Sequence, residues 1–231
     1  MESRHAAPSA PPSTLTPDAI TDAALALACN GGLETVSIRK LAARLGVTPM
    51  AIYWHVPNKD ALLDAMAGRL FDAAIIPGDP SVPWPERLRI LLSSLLAVVR
   101  TQPEVATLLS TRTVRSASGL AATDAMLDIL RLAGFSPEQA TQVGRLAIGT
   151  ISNLVTSRPG TVGHSEGGAS ATTPEANNLM LDQLPADRYP RLREAAGPLS
   201  RPTDPDAYDA FGLDLLMAGI VAMAPNPGDA P

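Results

Sequence analysis

The stretch SIRKLAARLGVTPMAIYWHV, residues 37–56, decides the fold because it contains two short helical segments joined by a glycine turn. Ser37 is a suitable N-cap for the first segment, and Gly46 stands where the left-handed residue that ends a helix is expected. The apolar residues between them have the spacing of one helix face: Ile38, Leu41, Ala42 and Leu45. Thr48 and Pro49 then begin a second, very short helix. Two helices this close together are typical of a helix-turn-helix, whose second helix enters the major groove of DNA.

The second helix of this pair carries an aromatic cluster that its own packing does not require. Only 3% of the chain is Phe, Trp or Tyr, yet Tyr53, Trp54 and His55 are consecutive. Ile52 and Val56, four residues apart, are enough to anchor so short a helix on the preceding one. We therefore predict that the cluster faces outward, towards a polyanion. The alternative is structural, with Trp54 as a core aromatic wedged between helices and His55 in a packing role.

The side chains around the cluster suit different parts of a DNA duplex. Arg39 is able to form a bidentate pair with guanine, and Met50 and Ala51 are able to contact a thymine methyl group. The side chains able to donate hydrogen bonds to phosphates are Tyr53, His55 and Lys59. Residues such as Lys40 and Arg44 most often belong to a solvated helix face.

The net charge of −5 argues at first against a nucleic-acid partner, but the charge is unevenly distributed. Residues 1–69 contain six Lys or Arg and six Asp or Glu, a balance of zero. Residues 70–231 contain twelve and seventeen, a balance of −5. The excess of acidic residues is therefore kept out of the segment that contains the aromatic cluster.

Helical patterns continue along the rest of the chain without a convincing strand, so we predict an all-α protein. The first helix begins at Thr16 and Pro17, and Cys29 within it is predicted to be a small buried residue. After a proline-rich linker at 77–86 and a long leucine-rich helix, further helices are predicted at 104–113, 117–133, 136–157, 174–184, 188–196 and 204–224, with a mobile Gly- and Ser-rich loop at 158–173. The predicted organisation is a disordered arm at 1–15, an N-terminal helix-turn-helix three-helix domain at 16–62, a larger helical domain at 63–224 and a flexible tail at 225–231.

The segment SIRKLAARLGVTPMAIYWHVPNKDALLDAMAGRL, residues 37–70, resembles the DNA-binding region of the TetR family of bacterial repressors. The resemblance implies an all-α homodimer with a small DNA-binding domain and a larger ligand-binding and dimerisation domain. By matching motif positions it implies DNA contacts from Arg39, Pro49, Met50, Ala51, Tyr53, Trp54, His55 and Lys59. We add the residues that border these positions to the predicted set: Ser37, Lys40 and Thr48.

Two helices of the larger domain have patterns that suit a dimer interface. The predicted helix at 136–157 has an apolar face with small residues that allow close helix approach: Val143, Gly144, Ala147, Ile148, Ile151 and Leu154. The last helix is apolar nearly all round, with Phe211, Leu215, Ala218 and Ala222 on one side and Leu213, Leu216, Ile220 and Met223 on the other. Such a helix needs its own domain on one side and a partner on the other, unless one domain encloses it completely.

The family resemblance also suggests what the larger domain binds. Tetracycline-responsive members hold a drug–magnesium chelate with histidines, and the matching positions here are Ile75 and Leu108. With only His5, His55 and His164 in the chain, we predict no metal site and no cofactor. We expect an uncharged, mostly apolar effector instead. The predicted ligand-binding residues are Ile75, Leu91, Leu95, Leu108, Thr111, Met126 and Asn153, with Thr111 and Asn153 as polar contacts.

These observations favour a ligand-responsive transcriptional repressor that binds a palindromic double-stranded DNA operator as a homodimer. The alternatives are an all-α enzyme with an apolar substrate and a small-molecule carrier without DNA binding. The sequence offers no supported nucleophile–base pair and no phosphate-binding glycine loop, so we predict no enzyme. It also contains no apolar run of about 18 residues and no signal-peptide pattern, so we expect no membrane association and a cytoplasmic location.

Overall fold

The computed structural model describes residues 15–112, 115–157 and 174–225. Its helices are α1 (Pro17–Gly31), α2 (Ile38–Leu45), α3 (Pro49–Tyr53), α4 (Lys59–Asp72), α5 (Trp84–Thr101), α6 (Leu108–Thr111), α7 (Ala117–Leu132), α8 (Pro137–Thr156), α9 (Pro174–Asp182), α10 (Pro190–Glu194), α11 (Ala196–Ser200) and α12 (Pro205–Met223). Short 3₁₀ turns lie at Leu33–Thr35 and Pro103–Val105. No strand occurs in these ranges, and the all-α prediction is confirmed. The predicted arm at 1–15, except Leu15, and the predicted loop at 158–173 lie outside the described residues.

The first three helices begin and end where local chemistry dictates. Thr16, Ser37 and Thr48 each accept a hydrogen bond on the side-chain oxygen from a backbone N–H three residues later, which satisfies one free donor at each helix start. Gly46 ends α2 with φ +67°, a left-handed conformation that glycine adopts without steric cost. The start and end signals predicted for α2 and the start signal predicted for α3 are therefore confirmed.

A small core holds α1, α2 and α3 together. Ile20, Ala24, Leu41 and Ile52 are fully buried, and Val56 joins them just after α3. Cys29 is exposed, so the prediction that it is buried is wrong. It belongs to the last turn of α1, where Ala28 takes the inward position.

Helix α4 connects this small core to the rest of the molecule. Asn58 caps it by accepting a 2.8 Å hydrogen bond from the backbone N–H of Ala61. The helix packs against α1 on one side and against α5, α6 and α7 on the other. The boundary predicted between residues 62 and 63 falls inside this continuous helix.

The larger part is built around α5, α7 and α8. The predicted leucine stripe of α5 is buried, and the Ser152 hydroxyl of α8 donates a 2.9 Å hydrogen bond to the carbonyl of Ala106. The single helix predicted at 104–113 is instead a 3₁₀ turn followed by the one-turn helix α6. Val105, Ala106, Leu108 and Leu109 are all buried, so the core holds both short elements, and both pack against α8.

The segment before the last helix also departs from the prediction. The helix predicted at 188–196 is two short helices, α10 and α11, with Ala195 between them. Gly197 and Pro198 read as helix breakers in the sequence. Pro198 lies in the first turn of α11, where its missing N–H removes no intrahelical hydrogen bond, and the helix therefore tolerates it.

Candidate functional sites

Helix α3 presents most of its side chains to solvent. Ile52 and Val56 are buried, whereas Met50, Tyr53, Trp54 and His55 are exposed. Trp54 is 83% exposed, so the alternative in which it is a core aromatic is wrong. An exposed aromatic of this size beside the exposed Tyr53, in a chain that is so poor in aromatics, suits a binding surface.

The backbone around α3 is held by short-range hydrogen bonds. The backbone N–H groups of His55 and Val56 both donate to the carbonyl of Ile52, at 3.0 and 2.9 Å. The turn that carries the aromatic cluster is therefore fixed through the residue that anchors the helix. The cluster is presented by a defined backbone.

The other residues predicted to bind DNA surround α3. Arg39 and Lys40 are exposed on α2, Thr48 and Pro49 are exposed at the start of α3, and Lys59 is exposed at the start of α4. Ser37 and Ala51 are half-buried. Helices α2 and α3 contain Arg39, Lys40 and Arg44 but no acidic residue, so the surface that these two helices form is locally positive. All eleven predicted residues thus lie in one region of the folded molecule, on and around α2, α3 and the start of α4.

A cavity of about 440 Å³ lies among α4, α5, α6, α7 and α8. Its apolar wall consists of Phe71, Leu91, Leu95, Leu109, Ala122, Met126, Leu127, Gly144 and Ile148. Its polar wall consists of Ser110, Arg112, Thr123, Thr141 and Arg145. The volume and the mostly apolar wall are typical of a small-molecule site.

Three of the predicted ligand-binding residues, Leu91, Leu95 and Met126, line this cavity, and four do not. Leu108 is buried behind it and Thr111 is exposed, because the single turn of α6 directs Leu109 and Ser110 to the cavity instead. The other two residues lie elsewhere: Ile75 is 60% exposed in a shallow groove beside α5, where its backbone N–H donates to the Ser94 hydroxyl, and Asn153 is exposed on α8.

Sequence reasoning missed the charged part of the wall. Arg112 donates a 2.9 Å hydrogen bond to Asp60 and lies 3.8 Å from Asp64, both on α4. Arg145 follows Gly144 on α8 in a stretch that we had assigned to a dimer interface. For Arg145 the available signal was an arginine inside an otherwise apolar helical pattern, whereas Arg112 lies in the polar run STRT, residues 110–113, and offered no such signal. The sequence prediction did not use the Arg145 signal because it expected an apolar pocket.

An apolar groove separate from the cavity runs between α8 and α12. Phe211 and Leu215 of α12 are 67% and 65% exposed, and Leu146 of α8 is exposed beside them. The α8 residues predicted for an interface are mostly buried in the chain's own core: Gly144, Ala147, Ile151 and Leu154. The close approach at Gly144 serves a contact within the chain, since a Cβ atom there would lie 2.7 Å from the methyl carbon of Met126. The exposed face of α8 is the one that carries Leu146 and Gly149.

The described residues contain neither a membrane-spanning helix nor a cluster of metal ligands. None of their helices has the length and apolar character needed to cross a lipid bilayer. No three His, Cys, Asp or Glu side chains in the described part of the chain come together as metal ligands would.

Comparison with known proteins agrees with the helix-turn-helix geometry. A family model described as bacterial regulatory proteins of the tetR family matches residues 20–66, and a second, described as the tetracyclin repressor-like C-terminal domain, matches residues 76–224. An HTH-type transcriptional regulator of Saccharopolyspora erythraea is 29% identical over 213 residues, which is 91% of this chain and 86% of that protein. The HTH-type transcriptional repressor DrrR1 of Streptomyces coeruleorubidus is 28% identical over 227 residues, 95% of this chain and 83% of that protein.

A solved structure extends the similarity to the whole fold. The TetR family protein ActR of Streptomyces coelicolor, in complex with actinorhodin, superposes with a TM-score of 0.76 at 26% sequence identity. The match covers 93% of this chain and 100% of ActR. Because the two family models span both the DNA-binding end and the larger helical part, the chain belongs to the TetR family of bacterial transcriptional regulators.

Proposed function

We propose that this protein is a repressor that binds a palindromic DNA operator as a homodimer and releases it when a small, mostly apolar effector occupies the cavity. The observation that carries the proposal is the exposed aromatic cluster on α3, held outward by Ile52 at the positive end of the molecule. Two relatives support it: DrrR1 is named as a repressor, and ActR is named in complex with actinorhodin.

On DNA, α3 would enter the major groove with Met50 and Ala51 against base edges, while Arg39 pairs with guanine. Tyr53, His55 and Lys59 would donate to phosphates. Ser37 and Thr48 accept cap hydrogen bonds on their oxygens, which leaves the hydroxyl hydrogens to donate to phosphates. The remaining predicted contacts are Lys40, Pro49 and Trp54.

The dimer would form on the groove between α8 and α12. Its exposed apolar side chains need a cover, and Gly149 and Gly219 have open space around them, which allows another helix to approach closely. A twofold axis through this face makes the interface self-complementary and matches a palindromic operator. The two α3 helices must then lie about 34–36 Å apart to enter successive major grooves.

The effector would act by population shift. The effector favours a position of α4 in which the two α3 helices of the dimer are wrongly spaced for the operator. The loss of DNA binding is then set by the difference in effector affinity between this arrangement and the one that binds DNA. Leu91, Leu95 and Met126 remain the proposed apolar contacts from the sequence prediction.

The test is binding of the full chain to duplex DNA selected from a random pool. We expect the selected sequences to be palindromic, and affinity to fall steeply with salt because bound phosphates release counterions. Sedimentation of the complex should give two chains for each duplex. Binding with no sequence preference, or a complex with one chain for each palindrome, would contradict the proposal.

A further inference from the structure

Two arginines in the wall of the cavity indicate the chemistry of its ligand. Arg112 and Arg145 are the charged residues among the described residues that line it, and none of those residues is acidic. We propose that the cavity binds an amphipathic organic anion, such as an aromatic carboxylate or sulfonate, and that its acidic group competes with α4 for Arg112. The inference rests on the proposed function in that this anion would be the effector. It replaces the expectation of an uncharged effector.

The hydroxyl groups of the wall do not serve an anion. Ser110, Thr123 and Thr141 each donate their hydroxyl hydrogen to a backbone carbonyl of their own or the preceding turn, at 3.2, 2.8 and 2.8 Å. They therefore present oxygen lone pairs, which accept hydrogen bonds and repel negative charge. The guanidinium groups remain as the donors of the wall, and an acidic group that offers two or more oxygens to their paired N–H groups is their natural complement.

Arg145 is available for this role. It is exposed at the cavity, and no carboxylate among the described residues forms an ion pair with it. An apolar ring system against the leucines of the wall would leave an attached acidic group for Arg112 or Arg145, the charged residues of the described lining. The same ligand can donate from a phenol or hydroxyl to the three threonine and serine oxygens.

Arg112 already has partners, and they are on the helix that follows the aromatic cluster. Its bond to Asp60 is direct at 2.9 Å, but the Asp60 side chain is 80% exposed, and Asp64 is at 3.8 Å. Exposed ion pairs of this kind are weak, so a ligand anion can displace them. Asp60 lies next to Lys59, a proposed phosphate contact, so displacement of Arg112 would remove one contact between the start of α4 and the cavity wall.

The first test compares two fluorescent probes with the same rings, 8-anilinonaphthalene-1-sulfonate and the neutral N-phenyl-1-naphthylamine, on the full chain without DNA. We expect the sulfonate to bind about tenfold or more tightly, the range of a charge-assisted hydrogen bond. Arg112→Gln and Arg145→Gln should each abolish most of that preference and leave the neutral probe unchanged. Arg193→Gln, which removes an exposed arginine of α10, is the control and should leave both affinities unchanged. Equal binding of the two probes, or a preference that survives both cavity variants, would overturn the proposal.

The second test addresses the competition for Arg112. Asp60→Asn removes the competitor and should raise the affinity for the sulfonate about twofold to fivefold, as expected for an exposed ion pair, without changing that for the neutral probe. Asp124→Asn removes an exposed carboxylate of α7 in the groove beside the cavity and controls for charge alone. An Asp60→Asn affinity equal to that of the wild type or of the control would refute the competition. Neither test contains DNA, so a failure of operator binding leaves both results standing and contradicts the proposed function alone.

Discussion

At the scale of single residues, Ile52 and Trp54 have separate roles, one in packing and one in binding. Ile52 is fully buried and anchors the helix, while Trp54 two positions later is left in solvent. A free chain gains nothing from the exposure of so large an apolar surface. The separation of the two roles means that stability and DNA binding should respond to different substitutions.

The first prediction uses this separation. Ile52→Ala should lower the free energy of unfolding by about 2–5 kcal/mol, because it leaves a cavity in a small core. Trp54→Ala should change it by less than about 0.5 kcal/mol, because the side chain has little to lose, and should weaken operator binding by about 2 kcal/mol or more. Denaturant unfolding and fluorescence anisotropy on a selected operator measure the two quantities. A large loss of stability in Trp54→Ala would return Trp54 to a structural role.

The second prediction concerns base reading by α2. Arg39→Ala should cost about 1–3 kcal/mol of operator affinity and relax the preference at one base pair, if its guanidinium pairs with guanine. Arg44→Ala removes the same charge from the same helix and should weaken all duplexes slightly and alike. Both affinities are measured on the selected operator and on its single-base variants. Unchanged selectivity in Arg39→Ala would show that Arg39 contacts the backbone alone.

These residues show how much of the fold and of the site could be predicted from the sequence. Caps such as Ser37 and Gly46 act within one turn of their helix, so the sequence contains what is needed to predict them. Trp54 could be predicted to face outward because Ile52 and Val56 exhaust the inward positions of so short a helix. The cavity was harder, because the bend before α6 sets whether Leu108 or Leu109 faces it. That bend depends on packing against α4 and α8, which no local pattern records.

At the scale of elements, α4 is held from both sides. Arg69 pairs with Asp22 of α1 at 3.0 Å, and Ser118 of α7 donates a 2.5 Å hydrogen bond to Asp72. The backbone of α4 also comes very close to α7: a Cβ atom at Gly68 would lie 2.7 Å from the Cβ atom of Ser116. A change in the cavity that moves α4 relative to α7 would therefore be passed to α1 through Arg69.

The third prediction tests this contact. Glycine to alanine in a helix interior normally stabilises by about 1 kcal/mol, but Gly68→Ala should be destabilising overall, since overpacking costs about 1–3 kcal/mol. Ser116 cannot turn its Cβ aside without moving the start of α7, so α4 should shift and operator affinity should change as well. Gly78→Ala, with no atom near the added methyl group, is the control and should leave both quantities unchanged. A Gly68→Ala protein that is as stable as wild type and binds the operator equally well would show that the contact adjusts freely.

At the scale of the whole molecule, charge and symmetry must work together. The chain is acidic overall, yet the residues of α2 and α3 place positive charge at one end. Two such ends on one side of a dimer would meet the same face of a duplex, while the acidic remainder is turned away from the phosphates. A single chain offers only half of this surface, so operator affinity should depend on association through α8 and α12.

The fourth prediction follows from that dependence. Leu215→Arg places a charge in the middle of the proposed interface, where Leu215 is 65% exposed in the isolated chain, and should raise the dimer dissociation constant more than about tenfold. Leu132→Arg, at an exposed leucine of α7 outside the groove, is the matched control and should remain dimeric. Neither substitution removes a buried contact within one chain. Each variant should therefore have the same thermal unfolding temperature as wild-type protein at a concentration that gives the same fraction of monomer.

Operator affinity should fall for Leu215→Arg in proportion to its dissociation into monomers, since a monomer binds only one half-site. Dissociation is measured by sedimentation at the protein concentration used for DNA binding. A dimeric Leu215→Arg protein would place the interface on another face, and a monomeric one with full operator affinity would separate DNA binding from dimerisation.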